Sequence, residues 1–201
     1  MKKSGTQSVL LVGVGGQGTI LASKVLTTGL IDAGYDVKMS EVHGMSQRGG
    51  SVTTQVRYGQ KVWSPLIGQG EADVLVSFET MEAMRCLSFL KPGGKVIVNT
   101  YRMPPLPVLS GECEYPDGIV DELKKRADTL AIDAVKIAID LGMPRGMNVV
   151  LLGALISAIG VDDADWTRAL RACVKPEFFE ANLRCLEAGL NLAAAQKRNI
   201  W

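Results

Sequence analysis

Ser8-Val9-Leu10-Leu11-Val12-Gly13-Val14-Gly15-Gly16-Gln17-Gly18-Thr19-Ile20 is the stretch that decides the fold. A short apolar run enters a cluster of glycines and a helical pattern follows at once, which is the strand, tight turn and helix start of a βαβ unit. Gly13, Gly15 and Gly18 fit G-x-G-x-x-G, a spacing that turns the chain tightly, lets a ligand approach the backbone and packs helix on strand. Free N–H groups at the helix start would face a phosphate or carboxylate, and the helix dipole would favour it. The same turn also serves simply to join a strand to a helix, so alone it identifies no nucleotide.

Downstream, residues 19–31 place Ile20, Leu21, Val25 and Leu26 near one helical face, and Gly34 supplies the usual stop. A second strand is expected over 35–42. Its Glu41 lies about 20 residues past the turn, where NAD-binding Rossmann folds hold a carboxylate for the ribose. Residues 51–58 alternate and predict a strand; Gly59-Gln60 is a turn, and 61–64 reads as the returning strand of a hairpin. The continuous apolar run at 72–78 is a buried parallel-type strand. Glu79 then stands just past its carboxyl end, either facing a ligand or complementing the dipole of the helix at 79–87.

A strand at 96–99, a proline-rich connector at 101–116, a helix at 117–126 and a strand at 129–132 follow. Helices are expected at 133–141, 148–159, 162–174 and 176–196, with Asp162 or Asp163 capping the third. The helix at 148–159 is apolar all round, so it is buried against the sheet or a partner. The sum is an α/β fold over residues 1–201: a single domain with a Rossmann-like, mostly parallel sheet flanked by helices, an inserted β-hairpin and a helical C-terminal part.

The 201 residues suffice for a substantial core, and 47% hydrophobic against 21% charged is a globular balance. A formal net charge of +1 gives no reason to expect nucleic acid or an anionic membrane as partner. No apolar run reaches the roughly 18 residues of a spanning helix, and no signal-peptide pattern precedes the first strand, so a cytoplasmic location is expected. Cys86, Cys113, Cys173 and Cys185 never form C-x-x-C, and His43 is the sole imidazole. Neither a structural zinc site nor an iron–sulfur cluster is expected on this chain.

His43-Gly44-Met45-Ser46-Gln47-Arg48-Gly49-Gly50-Ser51 stands where a plain βαβ unit would supply a second helix. Its glycines permit close approach of a ligand or partner, Arg48 offers a fork for carboxylate or phosphate, and His43 is an imidazole able to titrate near neutrality. A solvated surface loop with paired side chains is the alternative. The candidate binding backbone is thus Gly13, Gly15, Gly16, Gln17 and Gly18 in the turn, with Gly44, Ser46, Gly49 and Gly50 in the loop. His43 and Arg48 are the candidate catalytic side chains.

Taken together, the turn at 13–18, the segment Glu41-Val42-His43-Gly44-Met45-Ser46-Gln47-Arg48-Gly49-Gly50-Ser51-Val52 and the strand Ala72-Asp73-Val74-Leu75-Val76-Ser77-Phe78-Glu79 resemble the gamma domain of the 2-oxoacid:ferredoxin oxidoreductases. The second segment is the most specific and is similar to that of the small (beta) subunits of the indolepyruvate branch. The resemblance implies oxidative decarboxylation of an aryl 2-oxoacid on thiamine diphosphate, electron flow through [4Fe–4S] clusters to ferredoxin, and acyl transfer to coenzyme A. This chain carries no clustered cysteines and no Gly-Asp-Gly thiamine-diphosphate motif. The resemblance therefore implies that those cofactors sit on a large (alpha) partner subunit, that coenzyme A can be shared at the interface, and that this chain is inactive alone. A stand-alone NAD-dependent dehydrogenase using Glu41, and a module that only assembles the complex, are the competing expectations.

Overall fold

Every residue of strand β1 (Gln7–Val14) after the first is buried, because its apolar side chains face helices on both sides of the sheet. The computed structural model describes residues 5–44 and 49–198. After β1 come helix α1 (Thr19–Asp32), strands β2 (Asp36–His43), β3 (Ser51–Gly59) and β4 (Ala72–Ser77), and the short helix α2 (Thr80–Arg85). Strand β5 (Leu90–Asn99), helices α3 (Leu106–Leu109) and α4 (Ile119–Arg126) and strand β6 (Asp128–Ile132) follow. Helices α5 (Ala134–Asp140), α6 (Met147–Ile159), α7 (Trp166–Cys173) and α8 (Phe179–Arg198) complete the described chain.

The sheet has the order β2-β3-β1-β4-β5-β6. Strands β1, β4, β5 and β6 pair in parallel, whereas β3 is antiparallel to both β1 and β2. The α/β architecture with a mostly parallel sheet is as expected, but the hairpin is a different one. It is β2 and β3 that pair, from Asp36 opposite Gly59 to His43 opposite Val52. Residues 61–64 form no strand. The reason is geometric: both hydrogen-bonding edges of β3 are already taken, by β1 and β2. The segment is tied down by side chains instead, with the Asp36 carboxylate accepting from the Val62 N–H at 2.9 Å.

Two cores result. On one face α1, α6, α7 and α8 cover the sheet, with Val25, Leu26, Leu151, Leu155 and Leu186 among the buried residues; on the other, α2 and α4 bring Ala83, Ile119 and Leu123 against Leu10, Leu75 and Val96. Helix α1 buries Ala22, Val25, Leu26, Gly29 and Leu30, while Ile20 is 54% exposed, so the buried stripe is rotated from the expected one. Helix α7 begins at Trp166, and its cap is Asp165, accepting from the Arg168 N–H, rather than Asp162 or Asp163. Among the described residues no helix is long and apolar enough to cross a membrane.

Helix α6 is buried nearly throughout because it lies between the sheet and α8. The two helices touch backbone to backbone. A Cβ on Gly189 would stand 2.0 Å from the Val150 carbonyl oxygen, and one on Gly153 would stand 2.2 Å from that of Leu186. Backbone atoms cannot step aside as a side-chain tip does, so Gly189→Ala must separate the helices. It is expected to lower the unfolding free energy by about 3 kcal/mol, at the upper end of overpacking costs; urea denaturation of the purified chain measures this, and an unchanged midpoint would refute the close-contact account.

Candidate functional site: a crevice above the switch point

Strands β1 and β4 are neighbours whose following helices cover opposite faces of the sheet, α1 on one and α2 on the other. That divergence opens a crevice at the carboxyl ends of the strands, the place where open α/β sheets take their ligands. A cavity of about 630 Å³ lies there. It is lined by Gly15, Gly16, Gln17 and Gly18 of the turn, Gly49 of the loop, Tyr101 and Met103 beyond β5, Val135 of α5, and Pro144, Arg145 and Met147 where α6 begins.

Each part of the glycine turn has a separate task. Gly16 and Gly18 adopt φ of 98° and 80°, left-handed conformations that suit glycine. Gly13 does not line the cavity; a Cβ there would stand 2.9 Å from Cβ of Phe78, so its role is close packing of β1 on the end of β4. Gly18 seats α1 on α6, where a Cβ would stand 2.4 Å from the Asn148 side-chain nitrogen. That same nitrogen donates to the Gly18 carbonyl at 3.1 Å. Gln17 spans the split between the strands: its Oε1 accepts from the Val14 N–H at 2.7 Å and its Nε2 donates to the Phe78 carbonyl at 3.2 Å. The Gln17 side chain is thus engaged by the fold at both ends, although the residue also lines the cavity.

The electrostatics favour an anion. Helices α1 and α6 both start on the cavity wall, neither has a capping side chain, and neither carries an acid in its first turn. No acid offsets their N-terminal partial charges, although Asn148 Oδ1 accepts from the Val149 N–H in the first turn of α6 at 3.0 Å. Arg145 is exposed and, among the described residues, has no hydrogen-bond or ion-pair partner. Sequence reasoning missed Tyr101, Met103 and Arg145. The signal available for the last was an arginine between Pro144 and Gly146 at the mouth of an apolar helix.

The loop contributes differently from the turn. Gly49 reaches the cavity, while the Gly50 carbonyl accepts from the Gly15 N–H at 2.9 Å and the Gly44 N–H donates to the Ser51 carbonyl at 3.1 Å. Ser46 and Arg48 lie outside the described residues. His43 ends the edge strand β2, is exposed and does not line the cavity; its Nε2 is 3.8 Å from a Glu41 oxygen.

Glu41 itself accepts from Ser23 Oγ at 3.1 Å. Because β3 intervenes, Glu41 stands one strand farther from β1, about 4.8 Å of extra separation. Together with the Gly15 donor already used by Gly50, this departs from the arrangement of a Rossmann dinucleotide site.

Glu79, for which two roles were open, is 1% exposed and caps α2, its Oε2 accepting from the Glu82 N–H at 3.0 Å. Its Oε1 accepts from the Met103 N–H at 3.1 Å and from the Tyr115 hydroxyl. Burial, reinforced by the Glu79 hydrogen bond, pushes the Tyr115 phenol up to about 12, so it remains a donor near neutrality.

A model of the pyruvate ferredoxin/flavodoxin oxidoreductase family matches residues 8–192. The chain belongs to this family. Within it, the chain is 39% identical over 194 residues to indolepyruvate oxidoreductase subunit IorB of Thermococcus kodakarensis, covering 92% of this chain and 95% of that one. The fold is shared with the gamma subunit of a keto/oxoacid ferredoxin oxidoreductase from Geobacter sulfurreducens, with a TM-score of 0.70 at 23% identity and coverage of 94% and 99%. It is also shared with 2-oxoglutarate:ferredoxin oxidoreductase from Magnetococcus marinus, solved with 2-oxoglutarate, coenzyme A and succinyl-CoA bound. There the TM-score is 0.72 at 22% identity, and 96% of this chain matches 32% of that longer one.

Among the described residues no three His, Cys, Asp or Glu side chains gather as a metal site, and Cys86, Cys113, Cys173 and Cys185 belong to separate segments. The thiols of Cys86 and Cys185 are pushed up by burial, the reverse of what thiolate ligation needs. What the chain does offer is the crevice, where Gln17 lines the wall and bridges the ends of β1 and β4. Gln17→Ala strands the buried Val14 N–H, whereas Asn99 still covers the Phe78 carbonyl. A loss of about 1–2 kcal/mol in chemical denaturation is expected, the cost of one unsatisfied buried donor.

Proposed function

We propose that this chain is the small subunit of an indolepyruvate:ferredoxin oxidoreductase, which completes a site whose redox cofactors are held by a large partner subunit. The observation that carries this reading is the 39% identity to an indolepyruvate oxidoreductase subunit over nearly the full length of both chains. The absence of an iron–sulfur ligand set among the described residues agrees with placing the clusters on the large subunit. On that subunit, thiamine diphosphate supplies the decarboxylation chemistry and the clusters carry electrons to ferredoxin. The complex works in the cytoplasm.

The task of this chain is to bind and orient an anion. The turn at 13–18 brings bare backbone to the ligand, the N-termini of α1 and α6 favour negative charge, and Arg145 adds a planar fork; Arg48, outside the described residues, is the second candidate fork by its chemistry. Either a phosphate of coenzyme A or the carboxylate of the 2-oxoacid meets these requirements. The Tyr101, Met103 and Met147 side of the cavity suits the apolar part of the same molecule. A single small protein of the same fold class acting on NAD is disfavoured by the displaced Glu41.

Co-expression with the large subunit should give indolepyruvate- and coenzyme A-dependent reduction of ferredoxin, and this chain alone should give none. In the assembled enzyme, Arg145→Ala is expected to raise the KM for coenzyme A or for the 2-oxoacid by about tenfold, the loss of one charge-assisted hydrogen bond. Whichever KM rises identifies the anion. Arg48→Ala tests the loop in the same way. If both variants assemble normally and both KM values stay put, the chain is a scaffold and the anion reading fails.

A further inference from the structure

Helix α2 does not line the cavity, yet two of the segments that wall it from outside the glycine turn are fastened to this one helix. The first segment is the connector beyond β5. Glu79 Oε1 accepts from the Met103 N–H at 3.1 Å and from the Tyr115 hydroxyl, and the Thr80 N–H donates to the Tyr101 carbonyl at 3.2 Å. Tyr115 turns its oxygen back onto α2, accepting from the Met81 N–H at 3.2 Å and lying 2.7 Å from Thr80 Oγ1. The Arg102 guanidinium lies over the Tyr115 ring at 4.8 Å and is held by Asp117. Tyr101 and Met103, the cavity-lining residues of the connector, therefore have their backbone held at positions set by the first turn of α2.

The second segment is the loop before β3. Ser51 Oγ donates to Glu82 Oε2 at 2.5 Å, and Arg85 holds the other oxygen of the same carboxylate at 2.9 Å. Glu82 is 5% exposed, so this bond is shielded from water. One residue earlier, the Gly50 carbonyl is held by the Gly15 N–H, which joins the loop to the glycine turn. Gly49 of the cavity wall is thus two residues from a buried anchor on α2.

We infer that Glu79 and Glu82 are positioning residues that hold two walls of the crevice independently, Glu79 through Tyr115 and Met103 for the connector and Glu82 through Ser51 for the loop. The spacing makes the arrangement possible: three residues apart on a helix, one carboxylate caps the first turn and the other leaves it toward β3. Neither touches the ligand. They fix where the ligand's walls stand, and site geometry of this kind is sensitive to displacements near 1 Å. The inference rests on the reading of the crevice as the anion site, and its test separates the two.

The test uses the assembled two-subunit enzyme carrying Tyr115→Phe, which keeps the α2 cap, or Ser51→Ala, which keeps Glu82. Glu79→Gln and Glu82→Gln serve as companion variants where they assemble. Backbone amide exchange by mass spectrometry is read over residues 101–116, residues 49–53 and α6. Tyr115→Phe should speed exchange in the connector alone and Ser51→Ala in the loop alone, each by about fivefold, the effect of one lost hydrogen bond. The same KM that moves in Arg145→Ala should rise while kcat stays within about twofold, as when orientation rather than chemistry is lost, and Ser51→Thr should restore it. Exchange that is unchanged, or that rises equally in both segments and α6, overturns the latch. Selective loosening with both KM values unmoved leaves the latch standing and overturns the anion reading of the crevice.

Discussion

Strand β3 is hydrogen-bonded along its whole length on both sides, to β1 and to β2, and it runs against both. This constraint shapes the molecule. A chain that has just left the carboxyl end of β2 must re-enter the sheet at once, beside the carboxyl end of β1, and only a loop rather than a crossover helix can make that connection. The loop is thereby delivered to the glycine turn, and its Gly50 carbonyl meets the Gly15 N–H. The same intrusion moves β2, with Glu41 and His43, away from the crevice. A glycine turn of nucleotide-binding type has in this way been given a new neighbour on one side and deprived of its customary one on the other.

The elements that could be read from the sequence were those fixed by local chemistry. Continuous apolar runs in β1 and β4, the glycine-rich turn between β1 and α1, and the all-round apolar helix α6 needed no knowledge of distant contacts. The hairpin failed because alternation in 51–58 shows that a strand exists but not which edges it will share. Ile20 failed because the buried stripe of α1 is set by its packing against α6 and α7, a tertiary matter. The crevice was half legible. Its glycines announce themselves, but Tyr101, Met103 and Arg145 reach it from segments eighty and more residues away, and nothing local to them marks a ligand site.

Glu79 shows how a single residue type supports opposite readings until its surroundings are known. An acid just past a strand's carboxyl end suits a ligand contact and a helix cap equally. Here the donors of Glu82, Met103 and Tyr115 all come from the protein, so the carboxylate serves the fold, and through the fold the site. The same economy appears where Gly18, Asn148 and α6 meet: the close seat that the turn requires is also what aims the start of α6 at the crevice. Rigid elements thus stand behind each loop that would meet a ligand, which is how loops come to hold a defined shape.

The margin of the sheet formed by β2 has a consequence for a subunit that must exist, however briefly, before it finds its companion. An open strand edge offers unpaired backbone on which another chain can extend the sheet, and Met39 and Val42 there are 43% and 56% exposed. Charges stand beside them on both faces of the strand, Glu41 on the face of Met39 and Asp36 and Lys38 on that of Val42. Stacking edge on edge would strip water from those groups, so the border guards itself against runaway polymerisation while its apolar positions remain open to a correct match.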